Sequence, residues 1–383
     1  MAGIDDGLTN DSGPVPDAGG AAVPVDPMAA LDAAYPQVLD ASPFLRRALQ
    51  GEGLVVDGDG AAAARDWLLE RACRPWDESV LQSRYRAHLA AAALPAEAAV
   101  ARALRRTRRE QLCTLLMRDA AGLAPLEEVT GAMTALAELA VRELLRAIVP
   151  PLAARYGTPL DAEGQPLDLL VLGMGKAGGG ELNVSSDLDL IFVCGDVQTL
   201  HRADAAAPAA GNIDGQEFFD RLGRSLIAAL GAVDDIGFVF RVDMRLRPHG
   251  DSGPLVIGLA MLEEYLLREG REWERFAWAK ARVISAPVLA GDAGYARSCA
   301  ALDALVQPFV YRKYFDFGAI GAIRDLHRRI ANEARRAARP SISGAPSAAA
   351  AAAPVHDVKL GRGGIREIEF LAQTYSVMRG GPA

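Results

Sequence analysis

The chain has 383 residues, of which 50% are hydrophobic, 23% charged and only 6% aromatic, and its formal net charge is −8. That length supports more than one small core, so two or three modules are expected. The acidic balance excludes the basic excess of a protein built to grip polynucleotide, and no nucleic-acid partner is expected.

Residues 1–35 are rich in Gly, Pro, Asp and Ala and poor in large apolar side chains, and burial there would not offset chain entropy, so a disordered tail is expected. Ser42 followed by Pro43 is a helix start, with Ser as cap and Pro in the first turn. Helical periodicity then dominates residues 36–155, with breaks at Gly51 to Gly60, Pro75, Pro95 and Gly122 to Pro125. From Leu126 to Ile148, Val129, Met133, Leu136, Leu139, Ala140, Leu144 and Ile148 fall close to one face, predicting a packed helix that ends at the Pro150-Pro151 break. Within this region the run Leu104 to Glu110 carries four arginines. It has two readings, phosphate contact or, more commonly, a solvated face or a set of interhelical ion pairs, and the second is favoured.

The character changes over residues 156–290, the expected catalytic domain. Leu167 to Leu172 and Leu188 to Val193 are short apolar runs with strand character, and Gly215 to Gly231 reads as an amphipathic helix. Phe238 to Arg247 is a third strand candidate, alternating from Phe240 onward so that Arg241, Asp243, Arg245 and Arg247 share one face. Residues 291–383 return to helical pattern, with a flexible insertion expected at 340–354.

Cys73, Cys113, Cys194 and Cys299 lie far apart, with neither CxxC nor Cys/His ligand spacing, so no zinc site or disulfide framework is indicated. A reducing cytoplasm fits this usage. The acidic N-terminus does not resemble a signal peptide, and no apolar stretch approaches the ~20 residues needed to cross a bilayer, so no membrane association is expected.

The segment from Gly173 to Leu190, Gly-Met-Gly-Lys-Ala-Gly-Gly-Gly-Glu-Leu-Asn-Val-Ser-Ser-Asp-Leu-Asp-Leu, concentrates the chemistry. Gly173, Gly175 and Gly178 satisfy GxGxxG after a strand, which raises a dinucleotide-binding fold. Only Met174 to Ser186 separate the two strand candidates, however, and Gly178 to Gly180 would disrupt a crossover helix. The alternative takes Gly178-Gly179 as a close-approach turn and Asp187-x-Asp189 as carboxylates on the next strand. Residues two apart in a strand project to the same side, and two such carboxylates repel unless a cation lies between them. Mg²⁺ suits that donor set, and Asp243 is the candidate third ligand. Gly178, Gly179 and Ser186, with Arg241, Arg245 and Arg247, are the candidate phosphate-binding residues. An Asp-x-Asp pair alone is more often a turn or a cap. Joined to the glycine turn, Asp243 and its Arg-rich frame, it is similar to the polymerase-β-like nucleotidyltransferase superfamily.

In its surroundings the segment resembles one family, the glutamine synthetase adenylyltransferase/deadenylylases. Arg241-Val-Asp-Met-Arg-Leu-Arg-Pro248, Ser252-Gly-Pro-Leu255, Trp273 to Arg282 and Lys359-Leu-Gly-Arg-Gly-Gly-Ile-Arg-Glu-Ile-Glu-Phe370 are similar to its blocks and follow the same order. Arg105 to Glu110 and Arg118 to Glu128 resemble its helical N-terminal region, so the likeness extends from about residue 40 to 383. Ala177, usually Leu in the family, Arg362 and the 340–354 stretch depart from the pattern without removing a proposed ligand.

The resemblance implies an α+β fold, with a polymerase-β-like domain of small mixed sheet flanked by helical regions. It implies catalysis by Asp187, Asp189 and Asp243, and removal of AMP from a tyrosine of glutamine synthetase by phosphate, releasing ADP. Family members pair such a unit with a second one that adds AMP from ATP. The Gly180 to Asn183 and Ser185-Ser186 context is closer to the first, so a single, truncated unit is expected. A PII-type signal protein is a further implied partner. Two other readings stay open, adenylyl transfer from ATP by this unit and a non-catalytic regulatory module. Lys176, Glu181, Lys280, Arg282, Lys359, Arg366, Glu367 and Glu369 are secondary candidates for phosphate, protein or regulatory contact.

Overall fold

Two prolines open the first two helices of the computed structural model, which describes residues 26–202, 213–311, 328, 358–359 and 363–379. Pro27 starts α1 (Pro27–Ala41) behind Asp26, whose side chain accepts from Met28 N, and Pro43 starts α2 (Pro43–Gly51) behind Ser42, whose hydroxyl accepts from Leu45 N at 3.1 Å. A first-turn proline loses no intrahelical hydrogen bond, because its N–H would have had no partner. α1 corrects the expected tail: residues 27–35 are helical, since Leu31 and Tyr35 find buried positions. The rest of that stretch and the 340–354 insertion lie outside the described residues.

The chain divides into two units, Met1–Arg74 with Leu116–Leu123, and Pro75–Leu115 with Ala124–Ala383. In the first, α1, α2 and α3 (Ala61–Ala72) bury Leu31, Leu45, Leu49 and Leu68, and Arg118 donates to the Ala72 carbonyl at 2.8 Å. The boundary therefore does not fall at residue 155. Helices α4 (Glu78–Ala90), most of α5 (Ala96–Ala120) and α6 (Leu126–Tyr156) belong to the unit that carries the sheet. α6 runs on through Pro150 and Pro151 to Gly157, whose φ of 104° ends it. Both prolines are exposed, so water can satisfy the carbonyls they leave unbonded.

The second unit continues through β1 (Thr158–Leu160), β2 (Leu170–Gly173), α7 (Gly175–Gly178), β3 (Leu188–Cys194), β4 (Thr199–His201) and α8 (Gly215–Gly231). There follow β5 (Val242–Asp243), β6 (Val256–Gly258), α9 (Leu259–Arg268), α10 (Glu272–Trp278), β7 (Arg282–Val283), α11 (Gly291–Val310) and α12 (Ile365–Arg379). β1 and β4 form a small antiparallel pair. The main sheet is mixed: β2 pairs antiparallel with β3 and β7, while β3 pairs in parallel with β5 and, farther along, with β6. The fold is thus α+β, with small sheets among many helices.

β3 is the organising strand because both its faces are covered. Leu188, Leu190 and Phe192 join Leu136, Leu144, Phe218 and Leu222 of α6 and α8, whereas Ile191 and Val193 join Leu262, Leu302, Phe309 and Phe370 on the other side. A strand buried on both faces reads as a continuous apolar run, as Leu190 to Val193 does. No helix among the described residues is long and apolar enough to cross a membrane.

Candidate active site

β2 ends at Gly173, and the chain turns through α7 toward β3. Met174 N donates to Asp189 O at 2.9 Å, so the turn is tied to the carboxylate strand. Gly178 is packed against backbone: a Cβ there would stand 1.8 Å from the Lys280 carbonyl oxygen and 2.5 Å from that of Gly173. Gly175, with φ of 50°, passes over the site, where its Cβ would meet Asp189 Oδ2 at 3.4 Å. Arg282 fastens this turn, donating from Nε to Gly178 O at 3.1 Å, and from Nη2 to Glu138 at 2.6 Å and Ala177 O at 3.3 Å.

Parallel pairing of β3 with β5 places Leu188 opposite Val242 and Asp189 opposite Asp243. Asp187 lies just before β3. Arg241 donates from Nε to Asp187 Oδ1 at 2.5 Å and from Nη2 to Ser185 O at 3.0 Å. Asp243 accepts from the Arg245 backbone N–H at 2.9 Å and from its guanidinium, Nη2 to Oδ2, at 2.5 Å. Those bonds hold the Asp243 carboxyl below the usual carboxylate range. Asp189 is driven the other way: burial, then the charges of Asp243 and Asp187, push its carboxyl up.

Two of the three carboxylates are therefore answered by arginines, and Asp189 is not. Among the described residues no three His, Cys, Asp or Glu side chains are gathered closely enough to hold a metal ion. The donor set still fits a hard cation. Asp189 is half-buried and destabilised as an anion by two neighbouring carboxylates, which is the charge imbalance that a divalent ion reverses. Asp187 and Asp243 would have to exchange their guanidinium partners for it.

The other sequence candidates fall less uniformly. Arg241 and Arg245 remain beside the carboxylates and are well exposed, with side-chain exposures of 59% and 80%. Arg247 leaves them, because β5 stops at Asp243 and the chain turns. Its Nη1 donates to Met244 O at 2.9 Å, and its Nη2 lies 3.4 Å from Asp251. The expected four-residue face is thus broken after Asp243. Ser186 donates its hydroxyl to Asn183 Oδ1 at 2.9 Å, while Gly178 and Gly179 approach protein backbone and the Glu181 side chain. Lys280 pairs with Glu181 at 3.0 Å and approaches Glu369 at 3.9 Å. Glu367 accepts from Gly363 N, Arg366 N donates to Lys359 O, and exposed Lys176 slightly favours the ionised Asp189.

One residue has no counterpart among the sequence candidates. Asp168, nearly buried, accepts from the N–H groups of Val288, Leu289 and Ala290 at 3.1, 2.9 and 3.0 Å. A lone acid inside an apolar run was the available signal, since such a group needs several donors. Arg108 belongs to the run Leu104 to Glu110, which is partly buried and carries interhelical ion pairs: Glu110 of α5 pairs with Arg84 and His88 of α4, and buried Arg105 pairs with Asp234. Arg108 instead lies over Phe238 at 4.6 Å and Phe240 at 5.8 Å, and burial, then the charge of Arg241, lowers its pKa to about 10.

Comparison with known proteins identifies the family of the chain. The family described as glutamate-ammonia ligase adenylyltransferase matches residues 37–291, and that described as GlnD PII-uridylyltransferase matches residues 322–382. A protein of Burkholderia pseudomallei (strain K96243) is 50% identical over 84% of this chain and 33% of its own length. One of Ralstonia nicotianae (strain ATCC BAA-1114 / GMI1000) is 45% identical over 94% and 36%, and one of Nitrosomonas europaea (strain ATCC 19718 / CIP 103999 / KCTC 2705 / NBRC 14298) is 43% identical over 76% and 28%. Each of the three is named a bifunctional glutamine synthetase adenylyltransferase/adenylyl-removing enzyme, and the chain spans about a third of their length. With its main match running from the first helices through the carboxylate sheet, the chain belongs to the glutamate-ammonia ligase adenylyltransferase family.

Proposed function

We propose that this unit is a nucleotidyltransferase that removes the adenylyl group from a modified tyrosine of glutamine synthetase, using inorganic phosphate and releasing ADP. The observation that carries the reading is the register pairing of Asp189 with Asp243 beside Asp187, three carboxylates at one end of a small mixed sheet behind a glycine turn. That arrangement supports a polymerase-β-like fold. The names of the relatives supply both directions of transfer, and the Gly180 to Asn183 and Ser185-Ser186 context favours removal. The PII-uridylyltransferase match over residues 322–382 supports a PII-type signal protein as a regulatory partner, and the cytoplasm is the compartment such a substrate implies.

Asp187, Asp189 and Asp243 would hold Mg²⁺, which supplies charge neutralisation at the transferring phosphate and at the leaving phenolate oxygen. Arg241 and Arg245, both exposed, would turn to the phosphate oxygens as their carboxylates engage the cation. Gly175, at φ of 50°, supplies the left-handed backbone of the turn that passes beside Asp189, where an added Cβ would come into van der Waals contact with the carboxylate. Tyrosine, with pKa ~10, is a leaving group that needs no strong general acid.

The test is phosphate-dependent ADP release from adenylylated glutamine synthetase, comparing this chain with Asp189→Asn. Loss of release in the variant is expected, and equal rates in the two proteins would overturn the carboxylate assignment. Incorporation of AMP into unmodified glutamine synthetase from ATP, without phosphate-dependent release, would instead assign the transferase direction.

A further inference from the structure

Arg108 and Arg241 come from distant parts of the chain, α5 and the entry to β5, yet both guanidiniums stand over the ring of Phe238, at 4.6 and 5.7 Å from its centroid. They are no farther apart than those two distances laid end to end. Their charges do not balance. Among the described residues no carboxylate pairs with Arg108, and its Nε is buried without a hydrogen-bond partner. The nearby acids are taken, Asp234 by Arg102 and Arg105, Asp235 by Arg102, and Glu110 by Arg84 and His88. Arg241 has, among the described residues, Asp187 as its one carboxylate, besides the Ser185 carbonyl. Asp187 answers exposed Arg241, and Arg108, the more buried of the two, has no carboxylate partner among the described residues, in a setting where an unanswered charge is costly.

We propose that Arg108 and Arg241, gathered over Phe238, form the binding site for the attacking inorganic phosphate, an inference that rests on the phosphorolysis reading above. A phosphate dianion supplies the missing negative charge and acceptors that match the planar donor edges of guanidinium groups. A guanidinium stacked on an aromatic face keeps those edges free in its own plane. The place is suitable as well as the charge, because Leu188 N donates to Arg241 O and Arg241 bonds Asp187, so the pair borders the carboxylate cluster. Lowering of the Arg108 pKa by burial and by Arg241 agrees with a cation that lacks its anion. In the reaction an oxygen of hydrogen phosphate forms the bond to the AMP phosphorus as the bond to the tyrosine oxygen breaks. The electron pair leaves on the phenolate, the proton of the hydrogen phosphate balances it, and the product is ADP.

The experiment measures inorganic phosphate and, separately, ADP binding to the full chain by calorimetry. The proteins are the wild type, Arg108→Gln and Arg108→Lys, with thermal unfolding recorded for each and with KM for phosphate and kcat of ADP release in parallel. Arg108→Gln is expected to weaken phosphate binding about tenfold or more and to raise KM for phosphate in step, with a smaller change in kcat. Arg108→Lys, which keeps the charge and loses the fork, should recover part of the binding, and it decides the matter if the Gln variant does not fold. Phosphate binding and KM unchanged in a folded variant would overturn the inference while leaving phosphorolysis intact. Arg108-dependent phosphate binding without any ADP release would sustain the site and defeat the phosphorolysis reading. A loss confined to ADP would assign the pair to the nucleotide and overturn the inorganic phosphate assignment.

Discussion

Asp189 and Asp243 face one another in register on parallel strands, and their surroundings drive the two carboxyls in opposite directions, Asp189 up and Asp243 down. Strand pairing alone does not produce this asymmetry. It arises because Arg245 wraps Asp243 and, among the described residues, nothing comparable wraps Asp189.

The first prediction follows from those signs, for metal-free protein. A carboxyl with a raised folded pKa leaves the fold unpenalised below its unfolded value of ~3.9, and stability falls as pH rises through the raised value. Asp243 acts oppositely, giving stability above ~3.9 that disappears as pH falls through its lowered value. In chelator, Asp189→Asn should remove the decline on the higher-pH side and Asp243→Asn the loss on the acid side. Thermal unfolding between about pH 2.5 and 7 reads both. A wild-type profile in Asp189→Asn would contradict the assignment.

Cation binding should be visible without any turnover. Mg²⁺ at about ten times its dissociation constant is worth ~1.4 kcal/mol, or a rise of a few degrees in Tm. We expect that rise in the wild type and none in Asp189→Asn, whose metal-free Tm should equal or exceed that of the wild type. A full Mg²⁺ shift in the variant would remove Asp189 from the ligand set.

Two neighbouring glycines should respond differently to alanine. At Gly178 the new Cβ meets two carbonyl oxygens of the backbone, so the cost should be about 3 kcal/mol or more. At Gly180, where φ is 73° and nothing lies within 4 Å, only backbone strain is added, about 1 kcal/mol. Urea midpoints order the two, and a milder effect at Gly178 would show that the turn can open.

Asp168→Ala leaves three backbone N–H groups without their acceptor next to β2, and should cost about 3 kcal/mol. Denaturant unfolding measures it, and a loss below about 1 kcal/mol would mean that water replaces the carboxylate.

Much of this was legible in the sequence because periodicity and capping are local. Asp214 caps α8 at the predicted start, and Ser42-Pro43 marks α2. β6 and β7 went unseen, being three and two residues long and strands only by virtue of pairing with β3 and β2. The strand positions of Asp189 and Asp243 were legible from the apolar runs around them, although Asp187 falls one residue ahead of β3, and Arg247 was misplaced because alternation in sequence cannot show where a strand loses its neighbour. Arg108 and Phe238 are 130 positions apart, and no local pattern joins them.

The edge of β3 is shared, β5 holding Leu188 and Asp189 and β6 holding Phe192 to Cys194. Both partners run parallel to β3, so they are two ends of one interrupted strand. Two residues separate the attachment points on β3, and twelve, Met244 to Leu255, separate them on the other side. That excursion is anchored at each end by its own register. A change in length between Pro248 and Ser252 can therefore be absorbed without sliding Asp243 along Asp189 or drawing Arg245 away from its carboxylate.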